Sequence, residues 1–110
     1  MSIDETDTVD FIGIESASGL VVLTISDHLD WVDSGAHQRQ MQSKINTYLK
    51  FAASGEMLAS YPDAAGRDLL IAVKARHQPD EAGHDFLDRV RAGLKTMGLA
   101  FRYELLPAAT

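Results

Sequence analysis

The sequence predicts an α+β protein with elements in the order ββαβαβ, forming a four-stranded mixed sheet with two helices packed on one face. Three observations support this class. Short apolar runs rich in β-branched residues indicate four strands, two longer segments repeat apolar residues at helical spacing, and glycine or proline separates the elements. A ferredoxin-like arrangement of the same elements is the alternative.

The four strands are predicted from the pattern of their side chains. The first two, FIGIE (11–15) and LVVLTI (20–25), flank a short loop in which Gly19 supplies a positive φ, so we expect an antiparallel hairpin. The third strand, DLLIAVKA (68–75), is apolar on both faces, which is typical of a central strand. The fourth, LAFRYEL (99–105), alternates apolar and charged residues as a half-buried strand does.

The two helices are predicted from apolar residues three and four positions apart. The first runs from about Trp31 to Ala53, and its apolar face consists of Met41, Ile45, Tyr48, Leu49 and Ala52. The second follows Pro79, and its apolar face consists of Ala82, Phe86, Val90, Leu94 and Met97. Right-handed crossovers between parallel strands would place both helices on the same face of the sheet.

Length and composition indicate one domain. The 110 residues are enough for a single core, which we assign to residues 9–106, after a flexible acidic N-terminus at residues 1–8. The chain contains no cysteine, which excludes disulfides, thiolate metal sites and a cysteine nucleophile. No dinucleotide-binding, Walker A or GxSxG motif is present, so we expect no cofactor and no enzymatic activity.

Charge and hydropathy limit the partners. The net charge of −6 and the isoelectric point near 5.0 oppose binding to a nucleic-acid backbone. The acidic N-terminus has neither the basic nor the apolar region of a signal peptide, and no apolar run approaches the ~18 residues of a membrane span. We therefore expect a cytoplasmic protein that binds neither nucleic acid nor a membrane.

The segment LTISDHLDWVD (23–33) combines acids, a histidine and the single tryptophan where the second strand ends. Asp30 and Asp33 are both suited to cap the first helix by accepting backbone N–H groups. Leu29 and Trp31 would then anchor the turn by packing. This structural interpretation of the segment is the preferred one.

The alternative is a ligand site at this edge of the sheet. If the second and third strands are parallel, their carboxyl ends lie side by side, which is where open α/β sheets bind ligands. Histidine and carboxylate groups could transfer protons or hold a metal there, although their spacing matches no metal motif and we assign no metal ligands. The candidate ligand-binding residues are Asp27, His28, Asp30, Arg76 and His77.

The stretch VVLTISDHLDW, followed by KINTYLKF, SGE and YPDAAGRDLLIAV, resembles a family of small bacterial proteins classed as a domain of unknown function. The resemblance covers roughly residues 9–105, and TISDHLDW is its most distinctive segment. It implies a single domain and a bacterial cytoplasmic setting. No activity comes with it.

The function that we expect is that of a non-enzymatic interaction domain that self-associates, as a dimer, through an exposed sheet face. The second and third strands are apolar on both faces, whereas two helices cover only one, and a large bare apolar face is unusual for a monomer. The alternative of a different class is an acidic, immunity-type protein that neutralises a basic partner, since opposite charge speeds encounter. The ligand site described above is the third hypothesis.

Overall fold

The computed structural model describes residues 3, 5, 6 and 8–107. Its elements are, in order, β1 (Phe11–Ile14), β2 (Val21–Asp27), α1 (Ser34–Ala53), α2 (Glu56–Ser60), a single 3₁₀ turn (Pro62–Ala64), β3 (Leu69–Ala75), α3 (Glu81–Thr96) and β4 (Ala100–Leu105). The predicted α+β class is confirmed, with two long helices and four strands. The short helix α2 and the 3₁₀ turn are additions within the connection from α1 to β3.

The sheet has the strand order β1-β2-β3-β4, so each strand pairs with the one before it in the sequence. β1 pairs antiparallel with β2, and the register places Ile12 opposite Leu23. β2 and β3 are parallel, as are β3 and β4, with Leu23 opposite Ile71 and Ile71 opposite Phe101. β2 and β3 are therefore the central strands, as their apolar sequences predict.

The hydrophobic core lies between the sheet and the helices. Alternation along each strand directs one set of side chains toward α1 and α3. The core combines these strand residues with apolar residues of both helices: Leu23, Ile25, Ile71, Val73, Ala75, Phe101, Met41, Ile45, Tyr48, Phe86, Leu87 and Leu94. Both long helices consequently pack on the same face of the sheet.

The opposite side of the sheet, which we call the open face, carries the alternate residues of the strands. It consists of Phe11, Gly13, Glu15, Val22, Thr24, Ser26, Leu70, Ala72, Lys74, Ala100, Arg102 and Glu104. It is less apolar than the sequence suggests, because Arg102 reaches Glu15 at 3.2 Å and Glu104 at 3.4 Å, and Lys74 pairs with Glu104. Leu70 and Ala72 are almost fully buried, even though none of the described helices covers this side.

The helices differ in detail from the sequence prediction. α1 begins at Ser34 rather than near Trp31, since the three residues before it form a turn. In α3 the buried residues are Gly83, Phe86, Leu87 and Leu94, whereas Met97 is 56% exposed. The buried face of α3 ends before Met97, because Met97 lies in the cap that ends the helix.

The packed part of the chain extends further toward the N-terminus than residue 9. The predicted flexible segment, residues 1–8, lies partly outside the described residues. Of those described, Ile3 is fully buried and its N–H donates to the carbonyl of Ser26 at 2.9 Å. The side chain of Thr47 on α1 donates to the carbonyl of Thr6. This segment therefore contacts both β2 and α1.

Candidate functional site

In the corner between β2 and α1, residues 28–33, the two acids Asp30 and Asp33 have different roles. Asp33 is the N-cap of α1, and its Oδ1 accepts the backbone N–H of Ala36 at 3.1 Å. Asp30 also accepts a backbone N–H, that of Val32 at 3.1 Å, but this bond closes the turn before the helix. Of the two predicted cap residues, Asp33 therefore caps the helix and Asp30 stabilises the approach to it.

A buried pair of titratable residues joins β2 to α1. Asp27, the last residue of β2, is 1% exposed, and His37, in the first turns of α1, is 2% exposed. The Nε2 of His37 lies 2.6 Å from the Oδ2 of Asp27, and its Nδ1 lies 3.0 Å from the carbonyl oxygen of Asp30. The other oxygen of Asp27 accepts the N–H of Leu29 at 3.1 Å. The end of the strand, the corner and the helix are thus held by one hydrogen-bonded unit.

Trp31 packs this unit against α3. Its ring is 6% exposed and stacks on the imidazole of His37, with 3.7 Å between ring centroids and 27° between ring planes. Gly83 of α3 lies so close that a β-carbon there would meet the indole at 2.8 Å. Burial of Trp31 agrees with the interpretation of the segment as a structural corner. The corner therefore brings β2, α1 and α3 together at one point.

The chemistry available to His37 follows from its two acceptors. Both ring nitrogens lie within hydrogen-bonding distance of oxygen atoms of the protein, the Oδ2 of Asp27 and the carbonyl oxygen of Asp30. A general base needs a ring nitrogen within hydrogen-bonding distance of a substrate. Neither nitrogen is free, and both side chains are buried, so in this conformation the pair holds the fold together rather than meeting a ligand.

Tyr103 of β4 lies beside the same corner. Its hydroxyl donates to the carbonyl of His77 at 3.0 Å, which ties the loop after β3 to β4. Burial raises the pKa of Tyr103 to about 12, against the opposing effect of the nearby Nε1–H of Trp31. That indole N–H is itself buried, and no described residue accepts a well-formed hydrogen bond from it.

A second buried polar cluster joins the N-terminal residues to α1. The Nζ of Lys44 donates to the carbonyls of Glu5 at 2.7 Å and Thr8 at 2.6 Å, and to Asp10 Oδ1 at 2.7 Å. Lys44 is fully buried. Tyr48, one turn later, donates its hydroxyl to the carbonyl of Thr24 at 2.5 Å, and burial raises the pKa of this group. The cluster secures the segment before β1 against the core.

The five predicted ligand-binding residues do not all converge. Asp27, His28 and Arg76 line one cleft at the carboxyl ends of β2 and β3, where the N–H of Arg76 donates to the carbonyl of Asp27 at 3.0 Å. Asp30 and His77 are not among its lining residues. The carboxylate of Asp27 bonds to His37 instead, so the basic side chains that line the cleft are those of His28, Lys74 and Arg76.

The sequence alone did not identify the partners of Asp27 and Lys44, two charged residues that are buried. The spacing of both residues nevertheless indicates that they are buried. Asp27 follows Val21, Leu23 and Ile25 at alternate positions, which places it on the core side of β2, where an acid requires a partner. Lys44 lies three residues after Met41 and four before Tyr48, within the apolar face of α1. Both positions predict burial. The identity of the partners depends on tertiary contacts.

Two further properties concern the described residues only. In residues 3, 5, 6 and 8–107, no three histidine, aspartate or glutamate side chains lie close enough together to hold a metal ion. None of the described helices is long and apolar enough to cross a membrane.

The fold and the corner define a single-layer mixed sheet with two crossover helices on one side and a buried Asp–His pair at the first crossover. The chain belongs to the family of unknown function DUF6572, whose model matches residues 1–107. This confirms the family resemblance seen in the sequence. No curated protein matches the chain, and no solved structure does.

Proposed function

We propose that the protein is an interaction domain that pairs with a second copy of itself through the open face of its sheet. The observation that carries this proposal is the charge balance of that face. Its four charged side chains, Glu15, Lys74, Arg102 and Glu104, are two acids and two bases that pair with one another. The open face is therefore neutral in a chain whose net charge is −6.

Neutrality favours a second copy as the occupant. Two molecules that each carry −6 repel one another, and this repulsion is least where the approaching surfaces carry no net charge. A contact between identical faces also needs a self-complementary surface. Acids and bases in equal number on one face satisfy that requirement. Hydrogen bonds from the Ser18 hydroxyl and then from Arg102 lower the pKa of Glu15, and the bond from Lys74 lowers the pKa of Glu104.

Apolar surface beside these charged residues supplies the driving force for pairing. Phe11 is 64% exposed on β1, and its ring lies over Gly13 at the edge of the open face. Val22 and Thr24 on β2 are half-buried beside it. Four strands ~4.8 Å apart and about six residues long give a face of roughly 400 Å² in projection, which favours a weak, reversible dimer.

The test is the mass of the full chain in solution over a range of concentrations. Sedimentation equilibrium should show dimer forming between a few micromolar and several hundred micromolar. Phe11→Asp should abolish the dimer, since it places an unpaired charge in the contact. Leu58→Asp is the matched control, because Leu58 is 45% exposed but lies on α2, away from the open face.

Two results would contradict the proposal. A monomer throughout the concentration range excludes self-association. A dimer that persists in Phe11→Asp and dissociates in Leu58→Asp places the contact elsewhere. Circular dichroism of both variants separates loss of pairing from loss of folding.

A second candidate function is binding of a basic partner protein, and the distribution of acids favours it. Because the open face is neutral, the net charge of −6 falls on the remaining surface. Exposed acids surround the nearby starts of α1 and α3, among them Asp30, Asp33, Asp80, Glu81 and Asp85. Such a surface attracts a basic protein and speeds its association.

Co-expression with the products of neighbouring genes tests this second candidate. We expect one of them to be basic and to co-purify with this chain, in a complex whose association slows as salt is added. Replacing Asp80, Glu81 and Asp85 would weaken the complex with the basic partner, whereas Phe11→Asp would not. Separate elution of all neighbouring products would refute the idea.

A further inference from the structure

The carboxyl end of the open face contains a cleft of about 380 Å³. Its lining residues come from the ends of β2 and β3 and from the residue after β4: Ser26, Asp27, His28, Lys74, Arg76 and Leu106. β2 and β3 end side by side, with Asp27 opposite Ala75. The cleft thus occupies the edge of a parallel sheet at which α/β proteins commonly bind ligands.

The titratable side chains that line this cleft are mostly basic. The side chains of Arg76 and His28 are exposed and make no hydrogen bond or ion pair with any residue that the structure describes. Lys74 contributes a third basic group, which it shares with Glu104. Asp27 does not offset them, because its carboxylate is buried and bonded to His37 and to the N–H of Leu29. An unpaired guanidinium beside an imidazole is a notable arrangement in a chain with net charge −6.

We propose that this cleft binds a small oxyanion, the phosphate or carboxylate group of a small molecule, with Arg76 as its principal ligand. A guanidinium donates two parallel N–H bonds to either group, and its charge makes those bonds strong. His28, Lys74 and the hydroxyl of Ser26 supply further donors around the same space. Leu106, which is 45% exposed, offers an apolar wall for the organic part of the ligand.

The size and chemistry of the cleft limit the kinds of ligand that it can bind. About 380 Å³ is near the lower end of the volumes typical of small-molecule sites, so it suits a compact molecule rather than a dinucleotide. The basic lining excludes a bare metal ion, which would need oxygen or neutral nitrogen ligands without adjacent cations. The cleft shares Ser26 and Lys74 with the open face, whereas His28 and the proposed principal ligand, Arg76, lie beyond the ends of the strands.

The experiment is a nuclear magnetic resonance titration of the full ¹⁵N-labelled chain with inorganic phosphate and, separately, with succinate. Sodium chloride at equal ionic strength is the reference. We expect saturable shifts at the amides of Ser26, His28 and Arg76. Arg76→Gln should weaken binding about tenfold, which corresponds to ~1.4 kcal/mol. Arg89→Gln is the matched control, because Arg89 is an exposed arginine on α3, also without a side-chain partner among the described residues.

The outcomes separate the two ligand groups. Saturation by phosphate alone identifies a phosphate site, saturation by succinate alone a carboxylate site, and saturation by both a general oxyanion site. Shifts that grow linearly with either salt, or that are unchanged in Arg76→Gln, overturn the proposal. The titration is repeated with Phe11→Asp, so that an oxyanion site is recognised whether or not the chain pairs with itself.

Discussion

Three oxygen atoms hold the ammonium group of Lys44 at 2.6 to 2.7 Å, and two of them are backbone carbonyls of the N-terminal segment. A buried cation of this kind is stable only while its partners stay in place. At the scale of single residues, one lysine of α1 therefore helps to hold Glu5, Thr8 and Asp10 in place. The Asp27–His37 pair has the equivalent role at the start of the helix.

Replacing Lys44 by methionine tests this dependence. The change preserves side-chain length but leaves Asp10 without its cation, and breaking a buried pair typically costs about 3–5 kcal/mol. The free energy of unfolding in urea should fall by that order. Lys50→Met is the control, since Lys50 is exposed on the same helix, and it should change the value by less than ~0.5 kcal/mol. Equal effects in the two variants would contradict the assigned role of Lys44.

The acids of the corner between β2 and α1 lead to a second prediction. Asp33→Ala should destabilise the protein by about 0.5–2 kcal/mol, because it removes the helix cap. Asp30→Ala should cost less, since Asp30 closes an exposed turn outside the helix. His28→Ala should lie within ~0.5 kcal/mol of the unmutated protein, because His28 is exposed. Thermal and urea unfolding measure all three, and a larger loss for Asp30→Ala than for Asp33→Ala would reverse the assignment.

The raised pKa of Tyr103 predicts a loss of stability in alkali. The folded protein favours the neutral phenol, so this contribution is fully present below pH 10 and is lost as the pH rises through about 12. Urea unfolding across this range should show a smaller decline for Tyr103→Phe than for the unmutated protein. Identical slopes for Tyr103→Phe and the unmutated chain would argue against this coupling.

At the scale of elements, the contact between α3 and the corner depends on Gly83. A methyl group there would meet the indole of Trp31 at 2.8 Å and the ring of Pro79 at 2.9 Å. Gly83→Ala should therefore destabilise the protein by about 1–3 kcal/mol, as overpacking does. Gly93 on the same helix has nothing within 4 Å of its position for a β-carbon. Gly93→Ala should instead stabilise by about 0.4–1 kcal/mol, and thermal unfolding of both variants checks the opposite signs.

The strands and long helices were predictable from the sequence because their signals are local. Alternation in β4 and the apolar face of α1 depend on neighbours one to four residues away. The placement of both helices on one face followed from crossover handedness, whereas the order of the strands was not predicted from the sequence. The start of α1 was less certain, since Asp30 and Asp33 both suit a cap and only the three-dimensional turn distinguishes them.

The candidate site was only partly predictable, because it depends on contacts between distant residues. The parallel ends of β2 and β3 correctly bring His28 and Arg76 to one cleft. The sequence could not show that Asp27 turns toward His37, ten residues away on α1, or that Arg102 crosses the sheet to Glu15. The second contact also explains why the open face is less apolar than its strand sequences suggest.

At the scale of the whole molecule, self-association should couple stability to concentration. A dimer that forms only from folded chains stabilises them by mass action, so the melting temperature rises with protein concentration. Calorimetry at concentrations a hundredfold apart should show this rise for the unmutated chain and for Leu58→Asp. Phe11→Asp should melt at one temperature throughout. A concentration-independent melting temperature for the unmutated chain would count against pairing.

The strand order β1-β2-β3-β4 has a consequence for how the molecule is made. During synthesis, each new strand can pair with the strand that precedes it in the sequence. No strand has to be inserted between two strands that are already paired. Among the described strands, only the β1–β2 hairpin closes through a short loop, whereas the parallel pairs β2–β3 and β3–β4 are joined through helices, and pairing across such long connections slows folding. The last strand to be synthesised is β4, which completes the sheet beside β3. Until its final residues emerge, the outer edge of β3 stays unpaired, and a nascent chain arrested there is the form most prone to join another strand.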